Sequence, residues 1–202
     1  ITRPGGAVVI VEGNAVIRPN LLVRASVDSK SAVTMDQVTP IARLTSEYEV
    51  IVVPAASPIK DMKDLVAKFK ANPGSISWGG GSAGGTDHIL AGLIAKAIGV
   101  EPAKVNYVPF KGGGEAVAAI IGGHVTAGIS GISEFEQHVK SGKMRALAVS
   151  SPKGMDGVKS LKEQGIDVEL ANWRGVFGAP GISKQQRDEL VAAVEKAVKS
   201  PS

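Results

Sequence analysis

Cysteine is absent from this 202-residue chain. That removes disulfides, thiolate nucleophiles and cysteine-ligated zinc at once, and it fits an oxidising compartment, where a stray thiol is a liability. Aromatic residues are scarce, at 4%. The core therefore has to be assembled from Val, Ile, Leu and Ala, and an apolar share of 44% is enough to build one. No apolar run approaches the roughly 18 residues that a membrane-spanning helix requires. No export signal is recognisable, so an exported protein with this sequence is expected to be a mature or truncated form.

Charge is present but not concentrated. The net charge is +4 and the isoelectric point is near 9.3. The Lys and Arg residues are spread along the predicted helices and do not form the stripe expected of a nucleic-acid binder. The excess is compatible with an anionic small ligand. The three histidines, His88, His124 and His138, match no helical metal motif such as H-E-x-x-H, and His124 and His138 read as surface residues. No Ser/His/Asp set or carboxylate pair stands out. Asp87 and His88 are the only adjacent acid and base, and neighbours on a helix point apart. No catalytic residue, metal or cofactor is expected.

Glycine is abundant, at 25 residues, which predicts tight turns and close backbone approaches. The length suits one large domain or two small lobes. Residues 7–11 read as a buried strand that Arg18-Pro19-Asn20 interrupts. Residues 49–53 (EVIVV) form a β-branched run that Pro54 ends.

An alternation of helices and strands follows. The spacing predicts a helix over 61–70, with Met62, Leu65, Val66 and Phe69 on one face. A strand over 75–78, the loop Gly79-Gly80-Gly81-Ser82-Ala83-Gly84-Gly85 and a helix over 86–98 come next, with Gly99 where a terminating glycine belongs. The pattern repeats as a strand over 105–110, the loop Gly112-Gly113-Gly114 and a helix over 115–121. A strand over 125–130, a loop, a helix over 134–140 and a strand over 145–149 complete the run. Strands alternating with helices predict an α/β layer with a mainly parallel sheet. A short helix over 159–164, a strand over 173–177 and a helix over 183–199 end the chain. Ser183 and Gln186 have the spacing of a capping box, and Leu190, Val191, Val194 and Val198 form the last helix's apolar face.

The strand, glycine loop and helix of residues 76–93 are the most informative stretch. Free N–H groups at a helix start attract anions, glycines admit a ligand to the backbone, and Ser82 and Thr86 add hydroxyls. A tight strand-to-helix turn without a ligand is the competing reading. A Walker motif is excluded, because no Lys follows the final glycine. Gly79, Gly81 and Gly84 match the dinucleotide fingerprint formally, but no acidic residue stands about 20 residues further on at a strand end. Lys111-Gly112-Gly113-Gly114 repeats the design after the next strand, and Ser130-Gly131 follows the one after. In a parallel sheet these loops converge on one edge and would line one cleft. Lys111 either balances an anion there or faces solvent, and His88 either faces the cleft or is structural.

Several motifs occur together in order. They are Thr39-Pro40-Ile41-Ala42-Arg43-Leu44-Thr45, Gly79 to Ser82 with Gly84-Gly85-Thr86-Asp87-His88, and Gly112-Gly113-Gly114-Glu115. Gly131 with Glu134-Phe135, Asn172-Trp173-Arg174-Gly175-Val176 and Pro180-Gly181-Ile182-Ser183 complete the set. On these residues the chain resembles the substrate-binding proteins of tripartite tricarboxylate transporters, of the Bordetella uptake gene kind.

The resemblance implies a two-lobed, type II periplasmic binding protein-like fold with an α/β sheet in each lobe and the ligand in the cleft. Residues 54–168 would be lobe 2. Residues 1–53 and 169–202 would be lobe 1, with hinges near Val53-Pro54 and at 167–172. Lobe 1 is expected to be incomplete. Ile1 to Arg24 matches poorly, the glycine-rich loop of that lobe is not found, and only Arg3-Pro4-Gly5-Gly6 echoes a second one. The implied ligand is a carboxylate, whether a citrate-like tricarboxylate, a dicarboxylate or an aromatic acid. The implied partners are the transporter's membrane permease subunits. The implied setting is a monomer in the periplasm, or anchored outside the membrane of a Gram-positive host.

Carried over residue by residue, Ser82, Gly84, Gly85, Thr86 and His88 match the family's binding loop. The loop reading adds Ala83, Lys111, Gly112, Gly113, Ser130 and Gly131. Two alternatives remain open: a component that presents ligand to a membrane kinase, and a small-molecule enzyme of α/β fold. An enzyme would place an acid, base or nucleophile in the cleft, and the sequence offers donors and glycines there.

Overall fold

The computed structural model describes residues 9–15, 38–111 and 113–200. Arg3 to Val8, Arg18-Pro19-Asn20 and Gly112, on which expectations were placed, lie outside them. The chain divides into one unit of Glu47–Ala171 and another of Ile1–Ser46 with Asn172–Ser202. It therefore passes from one unit to the other at 46/47 and again at 171/172. The EVIVV strand, expected to end the N-terminal portion at residue 53, belongs with the central unit.

In the central unit the elements are the second part of β2 (Thr39–Pro54), α1 (Met62–Ala71), β3 (Ser77–Gly80), α2 (Thr86–Ala97) and β4 (Asn106–Pro109). They continue with α3 (Gly113–Ile121), β5 (Ala127–Gly131), α4 (Ile132–Lys140) and β6 (Met144–Val149). β3 runs parallel to β4 and to β5. β2 runs antiparallel to β5 on one side and to β6 on the other. Hence β3, β4, β5 and β6 point one way and β2 alone points back, in the order β6-β2-β5-β3-β4.

The antiparallel strand is where the sequence reading falls short. Only residues 49–53 were expected to be extended. β2 starts ten residues earlier, and Thr39 to Tyr48, in which only Ile41 is buried, carries no continuous apolar run to announce a strand. Val50, Ile51, Val52 and Val53 are buried, as a strand covered on both faces requires.

Packing follows the apolar positions. Val50 and Val52 join Ile120, Val125, Phe135, Met144 and Val149 in one cluster. Trp78 packs edge-on against Phe69 of α1, with ring centroids 5.4 Å apart. α2 buries Leu90, Ala91, Ile94 and Ala95. Asp61 caps α1 by accepting the Asp64 N–H at 2.8 Å. Two expected loops are shorter than the sequence suggested. Gly113 and Gly114 lie in the first turn of α3, and α4 starts directly after β5, with Gly131 as its N-cap.

In the other unit, β1 (Val9–Ala15) neighbours β7 (Ala171–Gly178), and β7 neighbours β2. α5 (Lys184–Lys199) opens with the expected capping box: Ser183 accepts the Gln186 N–H and Gln186 accepts the Ser183 N–H. None of its residues is buried, although Leu190 Cδ1 lies 3.5 Å from where a Cβ on Gly178 would stand.

Candidate ligand-binding site

Because β3, β4 and β5 are parallel neighbours, their exits share one edge of the sheet. β2 enters at that same edge, with Glu49 opposite Gly131. The edge therefore gathers the 81–85 loop, Lys111 with Gly113, Ser130 with Gly131, and Glu47 to Glu49. The predicted convergence of Ser82, Gly113 and Ser130 on one edge follows from this topology. Gly112 is not among the described residues.

The loop between β3 and α2 is held by side chains that return from α2 and β4. The Gly81 N–H donates to Asp87 Oδ2 at 2.7 Å, and the Gly84 N–H donates to His88 Nδ1 at 3.0 Å. The Tyr107 hydroxyl donates to the Gly81 carbonyl at 3.0 Å, and the Gly85 N–H closes a turn onto the Ser82 carbonyl at 2.9 Å. Gly84 sits at φ +82°, a left-handed conformation that only glycine adopts without strain.

Asp87 and His88 are neighbours on a helix and were expected to point apart. In the first turn of α2 both instead fold back onto the loop, one at each end of it. The N–H groups of Ser82 and Ala83 have no acceptor among the described residues, and both residues are exposed. They stand at the positive end of α2, whose N-cap Gly85 supplies no side-chain acceptor.

The neighbouring exit presents acceptors. Ser130 Oγ donates to Glu134, and Ser133 Oγ donates to Glu47 Oε1 at 2.6 Å. The Glu47 carboxylate lies so close to Gly131 that a Cβ there would collide with Glu47 Oε1. Burial raises the Asp87 carboxyl from 3.8 to about 6, with the Glu134 and Glu47 carboxylates adding to the rise and the Gly81 N–H opposing it. Burial, then the Asp87 and Glu49 carboxylates, push the Tyr107 phenol far above its ordinary value, so it remains a donor to Gly81. Among the described residues, no three His, Cys, Asp or Glu side chains converge as metal ligands. Lys111 is exposed, and its N–H reaches Glu115 Oε2 at 3.4 Å.

Of the three side chains that fix the loop, the sequence pointed to His88 as a site residue and to Asp87 only as its acidic neighbour in the motif, with no role, and Tyr107 was not singled out. Asp87 carried one usable signal, an acid in a helix's first turn. Tyr107 and Glu47 are ordinary strand residues until the register of β4 and β2 is known.

A separate concavity of the central unit lies elsewhere. A groove of about 670 Å³ is lined by residues including Pro54, Ser57, Ile59, Asn72, Ile121 and Val125. These residues follow β2 or precede β3 and β5, so the groove opens at the opposite sheet edge and does not reach the glycine loop.

Residues 8–202 match the model of the tripartite tricarboxylate transporter family receptor. A protein encoded in the gbd 5′ region of Cupriavidus necator is 32% identical over 155 residues, covering 75% of this chain and 46% of its own. A TctC solute-binding protein from Polaromonas, solved without ligand, superposes with a TM-score of 0.66 at 31% identity, over 84% of this chain and 58% of that one. MatC from Rhodopseudomonas palustris, solved with bound malate, has the same fold at a TM-score of 0.72 and 22% identity, over 85% of this chain and 59% of its own. The chain spans about half the length of the curated relatives it matches.

Proposed function

The chain belongs to the tripartite tricarboxylate transporter receptor family, and from that membership we propose that it takes part in capturing a carboxylate solute for such a transporter. The anionic end of the solute sits on the 81–86 loop. The observation that carries this is the pair of open N–H groups at Ser82 and Ala83, at the start of α2, with the Ser82 hydroxyl beside them. Removing a carboxylate from water is costly unless its oxygens gain donors, and these three are adjacent to one another. Lys111, Gly113, Ser130 and Gly131 flank the bound solute from the next two exits of the same edge. Citrate-like tricarboxylates and dicarboxylates such as malate are the substrate class.

The reading is of binding without turnover. Asp87 and His88, the residues an enzyme would use as acid and base, each already accept a loop N–H. In this role the protein works in the periplasm as a monomer and delivers its solute to membrane permease subunits. A thermal-shift screen of carboxylic acids including malate and citrate tests the reading, because a ligand that binds only the folded state raises the unfolding midpoint. A raised midpoint with at least one acid, lost in Ser82→Ala, is expected. A flat response across the whole panel overturns it.

A further inference from the structure

Three side chains on two elements hold the loop, and each engages a different backbone group. Asp87 takes the Gly81 N–H, Tyr107 gives its proton to the Gly81 carbonyl, and His88 Nδ1 takes the Gly84 N–H. The His88 ring also lies flat on Tyr107, with centroids 4.2 Å apart and planes 10° apart. The imidazole is thus fixed in position by the stack and in rotation by the hydrogen bond.

An imidazole nitrogen that accepts a backbone N–H carries no proton. In the neutral ring the proton is then on the other nitrogen. His88 Nε2–H has no acceptor among the described residues, and the residue is half-buried beside the loop. From this geometry we infer that His88 is a specificity-determining donor. It is held as the neutral Nε2–H tautomer and offers that N–H to the carboxylate on the 81–86 loop, while Tyr107 and Asp87 are positioning residues that set the loop beneath it.

This rests on the proposed reading only in its ligand. The tautomer and the three clamps belong to the protein alone. A neutral donor suits the edge it serves. Glu47, Asp87 and Glu134 interact there, and an N–H adds a hydrogen bond to the anion without adding a cation for these carboxylates to capture.

Two substitutions separate the two nitrogens of His88. In His88→Asn the amide oxygen stands near the place of Nδ1, so the Gly84 clamp survives and the donor is lost. In His88→Gln the side-chain amide reaches the place of Nε2, so the donor survives and the clamp is lost. The experiment is long-range nitrogen–proton NMR of the His88 ring in mildly alkaline buffer, together with amide exchange at Gly81 and Gly84. Both are done on the whole chain, with and without malate and citrate.

The expected result is a proton on Nε2 whose resonance moves on adding the acid that calorimetry shows to bind. Gly84 should be protected in wild type and in His88→Asn, and exposed in His88→Gln. Affinity should fall roughly tenfold or more in His88→Asn, since a hydrogen bond to a charged group contributes about 1.5–3 kcal/mol. Tyr107→Phe keeps the stack and should speed exchange across residues 81–84.

A proton on Nδ1 overturns the inference, as does equal Gly84 exchange in wild type and His88→Gln. An acid that binds by calorimetry without moving the Nε2 resonance also overturns it, and leaves the carboxylate reading intact. If no acid of the panel binds, the carboxylate reading fails and the donor role of His88 fails with it. The tautomer and exchange results still decide the positioning roles.

Discussion

Between β3 and α2 the chain takes residues 81–85 to turn, whereas between β5 and α4 the strand runs straight into the helix. The two exits are side by side on one sheet edge. The first turns backbone N–H groups outward and uses Asp87, His88 and Tyr107 to hold them. The second has no free loop backbone, and its hydroxyls at Ser130 and Ser133 already point their protons at Glu134 and Glu47. The difference teaches that a glycine-rich exit is a donor site only when its acceptors are supplied locally. Without them its N–H groups would turn inward, as the Gly85 N–H does onto Ser82. A side chain that completes one exit can equally well exhaust the other.

The comparison is broken most strongly at the foundation of the second exit. Phe135 is the only buried residue of α4, whereas α2 buries four. Phe135→Ala should cost about 3–5 kcal/mol of stability, read from denaturant unfolding, and should loosen α4 while leaving the 81–85 loop in place. Equal loss of protection in the loop and in α4 by amide exchange would show that the two exits are not independent.

The donor contrast comes next. The Ser82 hydroxyl makes no hydrogen bond to a described residue, and the Ser130 hydroxyl donates to Glu134. Ser82→Ala should weaken binding of a carboxylate ligand roughly ten- to a hundredfold, at about 1.5–3 kcal/mol for a hydrogen bond to a charged group. Ser130→Ala should change it less than Ser82→Ala does. Calorimetry on both variants decides it. A larger loss in Ser130→Ala would move the anion to the second exit.

How legible this was depends on which kind of contact carries the information. The strand-loop-helix order and the shared edge could be read from apolar spacing and glycine, and the capped final helix from the Ser183 and Gln186 spacing, because those record local geometry. β2 was read only at its apolar end, since Thr39 to Tyr48 carries no continuous apolar run and buries only Ile41. Its antiparallel course between β5 and β6 has no sequence mark either. That course is what brings Glu47 to Gly131, 84 positions away in the chain. The expectation of donors and glycines alone at the edge failed for this reason. Tyr107 was invisible for a related one: its hydroxyl meets Gly81 26 positions away, through a strand register that composition does not encode.

A smaller effect is expected at Gly80, where the first exit leaves the sheet. A Cβ there would stand 2.6 Å from the Tyr107 hydroxyl and 2.8 Å from Asp87 Cβ. Gly80→Ala must push aside two of the three clamps. Overpacking of this kind costs about 1–3 kcal/mol, measured as a lower denaturation midpoint, with faster amide exchange at Gly81. The matching Gly85→Ala meets only the Ser82 carbonyl, at 3.0 Å, and should cost less. Equal costs would mean that the clamps yield freely and that the loop is not held by them.

The smallest expected effect sharpens the comparison through charge. Asp87 belongs to the first exit but feels the carboxylates of the second, and burial with those neighbours raises it to about 6 in the folded protein against 3.8 ordinarily. The folded state therefore binds this proton more tightly than the unfolded state does, so the contribution of Asp87 to stability must improve as pH falls through 6 toward 3.8. Above pH 6 the ionised carboxylate is a standing cost, and below about 4 both states are protonated and the gain is complete. Between pH 7 and pH 5 the linkage is on the order of 1 kcal/mol. Asp87→Asn keeps an oxygen for the Gly81 N–H and cannot titrate, so it should lose this component while the loop stays folded. Denaturant unfolding at the two pH values, wild type against Asp87→Asn, isolates it as the difference of differences, with wild type gaining more on acidification. An identical pH response in the two proteins would mean that burial and the neighbouring carboxylates do not raise Asp87 in the folded protein.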